Sequence, residues 1–340
     1  MKNSTNSNKY LNYMGSANKA LKTIFGTLFL TVTLFSCETN DDNDVDTDIE
    51  VLDYTTIQGF FEANGVQEQI FAMDASIGGS ITGEDGTIVT FPANALVDES
   101  NTPITGNVDV AIKEIFKPSQ MILSNKPTNA ISFSSENTFL LSEGETEVVV
   151  SQNGTEVQLA SGMNYQVSVP SAGGLDNQML PFSGTTSDEE GIVWNATSDV
   201  GAGSGNGMSF IAAPASYIYD VFDTGWSNCD KFYNYPGNKT TNYIDLTGSP
   251  NISETTVFLV FEENNLPAVV KFSTTYANGL QSYIDMLPEG LEVTYIAITI
   301  ENNQQYLAMT EVTIQDEEEL TLNFEAKSTQ EILDALTLLD

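Results

Sequence analysis

Short runs rich in Val, Ile, Thr, Phe and Tyr dominate the sequence, and Gly, Asn, Pro and Asp interrupt them at short intervals. In several runs the apolar residues occupy every second position, as in Val108, Val110 and Ile112. This is the period of a strand that buries one face. Helical periodicity is scarce. The pattern therefore predicts an all-β fold of the sandwich type.

A chain of 340 residues that loses the first 36 keeps 340 − 36 = 304, enough for about two ordinary domains. We expect two consecutive β-sandwich domains after a disordered tether, and then a short C-terminal helix with Thr329 as its N-cap. The predicted parts are a signal peptide (1–36), an acidic flexible tether (37–53), a first β-sandwich (54–175), connecting strands with a Gly-rich loop (176–215), a second β-sandwich (216–326) and the C-terminal helix (327–340).

Tight turns are predicted where Asp-Gly or Asn-Gly separates two β-forming runs. Asp85-Gly86 and Asn153-Gly154 are two such dipeptides, and both residue types tolerate the positive φ of hairpin turns. Towards its end, the run Leu291–Glu301 has apolar residues on both faces, which predicts a central strand covered on both sides.

The N-terminus has the pattern of an export signal. The first 36 residues carry four lysines and no Asp or Glu, and Thr23–Phe35 is almost wholly apolar or Thr. That run of 13 residues is shorter than the ~20 that a membrane-spanning helix requires. Leu34, Phe35 and Ser36 precede Cys37 as the cleavage sequence of a lipoprotein signal does, which predicts lipidation of Cys37 by a palmitate-type acyl chain.

Two other interpretations of this region stay open. Cys37 could follow an ordinary signal peptide by chance, and Met14 offers a second start site. The acidic run after Cys37 includes Asp44, Asp46 and Asp48, spaced as at the start of a calcium loop, but the Gly and closing Glu of such a loop are missing. We therefore interpret the run as a tether. It also resembles the surface-export signal of Bacteroidetes lipoproteins, which implies the outer face of the outer membrane.

Charge and composition exclude several functions. All 11 basic residues are Lys; seven follow residue 36, and with 47 Asp plus Glu they give 7 − 47 = −40 for the mature chain. A charge of this sign repels nucleic acid and anionic lipid headgroups. The chain has no His, which excludes Ser-His-Asp and Cys-His catalysis and removes the commonest zinc ligand. We expect no cofactor and no bound metal.

One stretch resembles a known β-sandwich module. Gly78-Gly79, Asp85-Gly86-Thr87 and Phe91-Pro92-Ala93-Asn94-Ala95-Leu96 are similar to the "ZU-five" module of ankyrins and netrin receptors. The resemblance covers about residues 75–170. It implies a protein-binding role. Self-cleavage as in some relatives is not implied, because Phe182-Ser183 is preceded by Pro181 and no His exists.

A second resemblance concerns residues 225–232, which are similar to a Gly-Trp-x-Asn-Cys-Asp motif of Bacteroidetes outer-membrane lipoproteins. In one interpretation Trp226, Cys229 and Phe232 fill the join between domains, while Asn228 and Asp230 hold a turn through backbone hydrogen bonds. In the other, Cys229 is a reactive thiol, although it lacks the usual stabilising cations. We favour the first, and the residues assigned to this structural motif are Gly225, Trp226, Asn228, Cys229 and Asp230.

These observations predict a lipid-anchored, non-enzymatic protein of the cell outer membrane that binds a protein or glycan. Its partners would be the membrane, through the lipid on Cys37, and that ligand, but not nucleic acid. Exposed aromatic side chains would mark the binding patch, and Tyr233, Tyr235 and Tyr243 are candidates, although the sequence is equally consistent with core positions for them. Two alternatives are a calcium-dependent adhesion module, which requires clustered Asp, and a carboxylate-based hydrolase, which requires two close carboxylates in a cleft.

Replacement of Cys37 by Ala should abolish lipid attachment, because no other sulfur lies near the predicted cleavage site. Metabolic labelling with a radioactive fatty acid measures this directly, and protease shaving of intact cells shows whether fragments beyond residue 54 face outwards. Label retained by Cys37→Ala would contradict the lipoprotein prediction.

Overall fold

Strands make up most of the part of the chain that is described by the computed structural model, namely residues 54–340 without 172, 188, 197–199, 202–208 and 213. Three short α-helices accompany them: α1 (Ile57–Asn64), α2 (Pro118–Leu123) and α3 (Thr329–Thr337). A single 3-10 turn spans Ile252–Glu254. The all-β fold and the short C-terminal helix predicted from the sequence are thus confirmed.

The strands are, in chain order, β1 (Gln69–Asp74), β2 (Gly79–Thr82), β3 (Ile88–Phe91), β4 (Leu96–Val97), β5 (Asn107–Ile115), β6 (Asn129–Ile131), β7 (Asn137–Gln152), β8 (Thr155–Glu156), β9 (Gln158–Leu159), β10 (Tyr165–Pro170), β11 (Leu180–Ser187), β12 (Gly191–Asn195), β13 (Val200–Gly201), β14 (Ser209–Ala212), β15 (Ala215–Val221), β16 (Gly225–Phe232), β17 (Lys239–Thr240), β18 (Tyr243–Asp245), β19 (Thr255–Glu263), β20 (Leu266–Phe272), β21 (Thr274–Tyr276), β22 (Gly279–Gln281), β23 (Leu287–Pro288), β24 (Glu292–Glu301), β25 (Gln304–Thr313), β26 (Glu319–Thr321) and β27 (Glu325–Lys327).

The largest sheet closes on itself. Its long strand β7 pairs with β6 at one end and with β16 further along, and β11 and β12 complete a ring of five strands back to β6. Closure leaves no unpaired edge among these strands. A buried apolar cluster belongs to them, made of Ala130, Leu140, Phe182, Ile192 and Trp194. Strand β5 pairs with β7 on the edge opposite β16, and β1 pairs with β5.

A second sheet has the order β2-β3-β10-β15, with β13 and β14 on β15. Strands β2 and β3 form the hairpin predicted at Asp85-Gly86. The fully buried carboxylate of Glu114, on the neighbouring sheet, accepts backbone N–H bonds from Asp85 at 3.0 Å and Thr87 at 2.8 Å. One buried carboxylate therefore satisfies two turn donors that would otherwise be costly to desolvate.

Strands β15 and β16 lie in these two sheets. The predicted boundary at residue 216 placed both of them in the second sandwich, whereas β15 pairs with β10 and β16 pairs with β7 and β11. The physical reason is that the apolar pattern of a strand defines its buried face but not its partner strand.

The C-terminal sheet, β20-β19-β24-β25-β27, is covered on both faces. Val257 and Leu259 of β19 belong to the large apolar cluster that also contains residues of the two sheets described above. Phe258 and Val260 pack in a second cluster with residues of all three helices. Strand β24 is buried at six consecutive positions, Tyr295–Ile300, so the prediction of a strand covered on both sides is confirmed. Four further strands form β21-β22-β18-β26, and β17-β23 and β4-β9 are isolated pairs.

The loop after α2 joins the ring to the C-terminal sheet. Thr128 donates its backbone N–H to the carbonyl of Val269 at 2.7 Å, and its Oγ1 accepts from the N–H of Val269 at 3.1 Å. The amide of Asn129 bonds both backbone groups of Lys271, at 3.0 and 2.8 Å. The side chains of Thr128 and Asn129 thus take the place of a neighbouring strand along β20.

The N-cap of helix α3 is Ser328, one residue before the predicted N-cap at Thr329. Ser328 Oγ accepts from the N–H of Glu331 at 3.3 Å, and the Glu331 carboxylate accepts from the N–H of Ser328 at 2.8 Å. This is a reciprocal capping box. At the other end, the Asp340 carboxylate accepts from the N–H and Oγ of Ser119, which fixes α3 against α2.

Replacement of Leu336 by Ala should lower the free energy of unfolding by about 2–5 kcal/mol, because it empties a fully buried site between α3 and the sheet. Leu338, 87% exposed in the same segment, offers a matched Leu→Ala control that should stay within about 0.5 kcal/mol of the unmodified chain. Urea denaturation measures both. Equal losses in the two variants would contradict the docking of α3.

Candidate functional site

A polar cleft of about 540 Å³ lies where several separated parts of the chain meet. Helix α1 and the turn after it form one side, and the ends of β11 and β12 form another. Strand β5 contributes Lys113, β16 contributes Trp226, and the loop after α2 contributes Asn125 and Lys126. We call this feature the polar cleft. Its volume is that of a pocket for a small ligand or one end of a larger one.

Two glycines allow the walls of the polar cleft to approach each other. A Cβ on Gly191, whose φ is +77°, would lie 2.2 Å from the carbonyl oxygen of Asn125. A Cβ on Gly184 would lie within 3 Å of side-chain atoms of Ile192, Trp226 and Trp194. Side chains at these positions would push β11 and β12 away from the loop and from the Trp pair.

Trp226 lies between the polar cleft and the buried apolar cluster of the five-stranded ring. Its ring packs edge to face against Trp194, with 6.4 Å between centroids. Trp194 is fully buried and donates Nε1–H to the carbonyl of Pro127 at 2.9 Å. Lys126 Nζ stands 5.2 Å from the centroid of the Trp226 ring, within the range of a cation–π interaction.

The second lysine of the polar cleft has carboxylate partners. Lys113 Nζ lies 3.1 Å from Glu147 and 3.8 Å from Glu68. Because Lys113 and its two partners are still partly exposed to solvent, these ion pairs add little to stability, but they hold the lysine side chain in place. Lys126, by contrast, forms no ion pair within 4 Å and no hydrogen bond through Nζ among the residues described here.

The motif residues Gly225, Trp226, Asn228, Cys229 and Asp230 all lie in β16, and this corrects the expectation of a turn. The strand carries a register shift between Cys229 and Asp230. Asn228 Nδ2 donates to Asp230 Oδ2 at 2.5 Å, and Asn228 Oδ1 accepts from Ser142 at 3.3 Å. Asn228 therefore bonds the side chains of Asp230 and Ser142, and Asp230 also accepts a backbone hydrogen bond from Glu143, so the expected bonding to backbone occurs in a bulged strand and not in a turn.

Cys229 is fully buried. Burial raises the pKa of its thiol well above the ordinary value, and the nearby Asp230 raises it further. The protonated thiol is therefore favoured over the reactive thiolate, in line with the interpretation of Cys229 as a core residue.

Two buried carboxyl groups lie on neighbouring strands at this point, Glu145 on β7 and Asp230 on β16. Burial raises the pKa of both well above the usual range, and the charge of Asp230 raises that of Glu145 further, whereas Lys126 lowers it. Neither side chain is exposed. A hydrolase needs two carboxylates that a substrate can reach, and this pair lies beneath the surface.

The three tyrosines considered as exposed candidates differ in position. Tyr233 is buried, in line with the alternative of a core tyrosine, and it stacks on Phe139 with 5.3 Å between centroids. Tyr235 is half-buried beside Tyr233. Tyr243 is half-buried too and lies 4.3 Å from the exposed ring of Tyr276.

From the sequence, Lys126 and Trp226 were not identified as a pair. The scarcity of lysine in so acidic a chain was the signal that could have drawn attention to Lys126.

Several predicted features lie outside the described residues, including the signal sequence Leu34, Phe35 and Ser36 and the lipidation site Cys37. Within the described part of the chain, no helix is long and apolar enough to cross a bilayer. The same residues contain no group of three or more Asp, Glu or Cys positioned to hold a metal ion, although an adhesion module of the calcium type would require one.

Comparison with protein-family models finds no match for this chain, and comparison with curated proteins finds none either. The resemblances noted in the sequence therefore stay predictions.

Stability should depend on pH through Glu145. Because the pKa of Glu145 is raised, the folded chain binds the proton of this carboxyl group more tightly than the unfolded chain does. The free energy of unfolding therefore falls as pH rises above the unfolded pKa of about 4.3. Glu145→Gln keeps the shape and removes the titration, so its free energy of unfolding should fall less between about pH 5 and pH 8.

Urea unfolding across that range measures the difference. The matched control is Glu156→Gln, at an exposed position of β8, which should follow the pH profile of the unmodified chain. Parallel profiles for the unmodified chain and Glu145→Gln would contradict the assignment.

Proposed function

We propose that the chain is a lipid-anchored, non-enzymatic protein of the cell outer membrane that binds a glycan or protein ligand in the polar cleft. The observation that carries this proposal is the cleft itself. It is about 540 Å³ in volume and combines an aromatic side chain with Lys126, which forms no ion pair within 4 Å among the described residues. Unused hydrogen-bonding capacity and a partly exposed aromatic ring are what a binding pocket offers.

The chemistry around the polar cleft supports binding over catalysis. The buried pair Glu145 and Asp230 is out of reach of solvent, and the Cys229 thiol is buried with a raised pKa. Most of the polar side chains that line the cleft are amides, hydroxyls and carboxylates, which can recognise a ligand through hydrogen bonds. The resemblance of residues 75–170 to a protein-binding module and the predicted lipid on Cys37 agree with this proposal.

Thr186→Trp should block the polar cleft, because Thr186 is exposed on the end of β11 and lines it. We expect the detergent-solubilised chain to bind one or more members of a panel of immobilised glycans and purified envelope proteins, and the variant to lose that signal. Thr275→Trp, at an exposed position of β21, is the control and should bind normally.

Two results would contradict the proposal. The first is an absence of binding to every member of the panel, or binding that Thr186→Trp leaves unchanged. The second is turnover: a ligand recovered in cleaved form after incubation with the unmodified chain would indicate an enzyme. Mass spectrometry of the recovered ligand distinguishes binding from cleavage.

A further inference from the structure

Within the described part of the chain, Lys126 is one of the lysines with no Asp or Glu oxygen within 4 Å. Of the seven lysines after residue 36, four lie within 4 Å of an Asp or Glu oxygen. The other three are Lys126, Lys239 and Lys271. Of these three, Lys126 lines the polar cleft.

The nearest carboxylates are not free to neutralise Lys126. Glu147 is bonded to Lys113 at 3.1 Å. Glu145 is fully buried, and burial with the nearby Asp230 raises its pKa, which favours the neutral acid. The positive charge of Lys126 is therefore left facing an aromatic ring and the polar cleft.

The cation–π contact satisfies Lys126 only in part. An ammonium group carries three N–H donors, and among the described residues no acceptor takes any of them. Burial lowers the pKa of Lys126, while Glu147 and Glu145 act in the opposite direction. An anion bound in the polar cleft would accept these hydrogen bonds and stabilise the charged form that burial disfavours.

Asn125, beside Lys126, also has an unused group. It is about nine-tenths buried, lines the polar cleft, and its Oδ1 accepts no hydrogen bond among the described residues. A buried acceptor without a donor is costly. Since Oδ1 itself is covered, a rotation of the amide would be needed to bring it to a ligand hydroxyl or N–H.

The remainder of the polar cleft limits how many negative charges a ligand can carry. Glu62 and Glu68 line it, so a polyanion would meet repulsion away from Lys126. Gln58, Gln67, Thr186 and Ser187 offer amide and hydroxyl groups. This combination fits a ligand with one carboxylate surrounded by neutral hydroxyl groups, a description that suits a sugar acid better than an acidic peptide.

We propose that Lys126, with Asn125, recognises the carboxylate of an acidic saccharide of the uronic acid type in the polar cleft. The inference rests on the proposed function and specifies the ligand class. The carboxylate pairs with the ammonium group of Lys126, and the sugar hydroxyls bond the amides and hydroxyls of the rim.

Isothermal titration of the detergent-solubilised full chain tests this with galactose trisaccharides in which one residue is replaced by galacturonate, glucuronate or mannuronate, so that each ligand carries one carboxylate. Galactotriose is the neutral counterpart. At least one uronate should bind, and more tightly than galactotriose. Lys126→Met keeps the apolar stem over Trp226 and removes the charge, so it should weaken uronate binding by about tenfold or more. Lys239→Met, the control with the same change of charge, should bind as the unmodified chain does.

A thermal melt of each variant checks folding. If Lys126→Met does not fold, salt dependence of the unmodified chain replaces it: uronate affinity should fall with ionic strength, and a flat profile would overturn the inference. Equal affinity for uronates and galactotriose, or unchanged uronate binding in Lys126→Met, would also overturn it. Failure of all uronates overturns the inference as well, while binding of another panel member, blocked by Thr186→Trp, would still support the proposed function.

Discussion

The contact between the Asn125–Asn129 segment and strand β20 is the constraint on which the rest of the described structure depends. Thr128 and Asn129 are buried, and their side chains supply the hydrogen bonds that another strand would supply to Val269 and Lys271. Each of these groups would cost about 1–3 kcal/mol if it were left buried and unpaired. The backbone of the same segment continues into β6 and so closes the ring.

The position of the polar cleft follows from that segment. Asn125 and Lys126 come directly before the residues that bond β20, and the carbonyl of Pro127 accepts from the indole of Trp194. The loop therefore has little freedom, and Lys126 is held over Trp226 by the main chain on both sides of it. A lysine on a loop with this many fixed contacts loses less conformational entropy on binding than one on a free loop.

Buried carboxyl groups have two different roles in this acidic chain. Glu114 accepts two backbone N–H groups of the β2–β3 turn, and these donors replace the water that would otherwise bond its carboxyl group. Glu145 accepts no hydrogen bond among the described residues, and its pKa is raised. The first carboxyl stabilises a hairpin. The second leaves Lys126 without a counter-ion, which is the electrostatic feature that distinguishes the cleft.

The spacing of apolar residues and the turn-forming dipeptides were sufficient to predict the all-β class, the Asp85-Gly86 hairpin, the C-terminal helix and strand β24, which is covered on both faces. These depend on residues that are close in sequence, where local sterics and a two- or 3.6-residue period decide the outcome. The site was predictable only in part: the motif around Trp226 was recognised, but its role as a cleft wall and the importance of Lys126 were not.

The pairing of strands was decided by the tertiary structure. Strands β15 and β16 carry the same apolar alternation wherever they lie, and their place beside β10 and β7 depends on long-range packing. The same holds for the cleft, whose walls are separated by up to 168 residues, as Gln58 and Trp226 are (226 − 58). The sequence by itself determined which residues form strands and how strongly negative the chain is. Only the tertiary structure decided which of the described lysines lack an ion-pair partner, because that depends on burial and on which carboxylates come within a few ångströms of each.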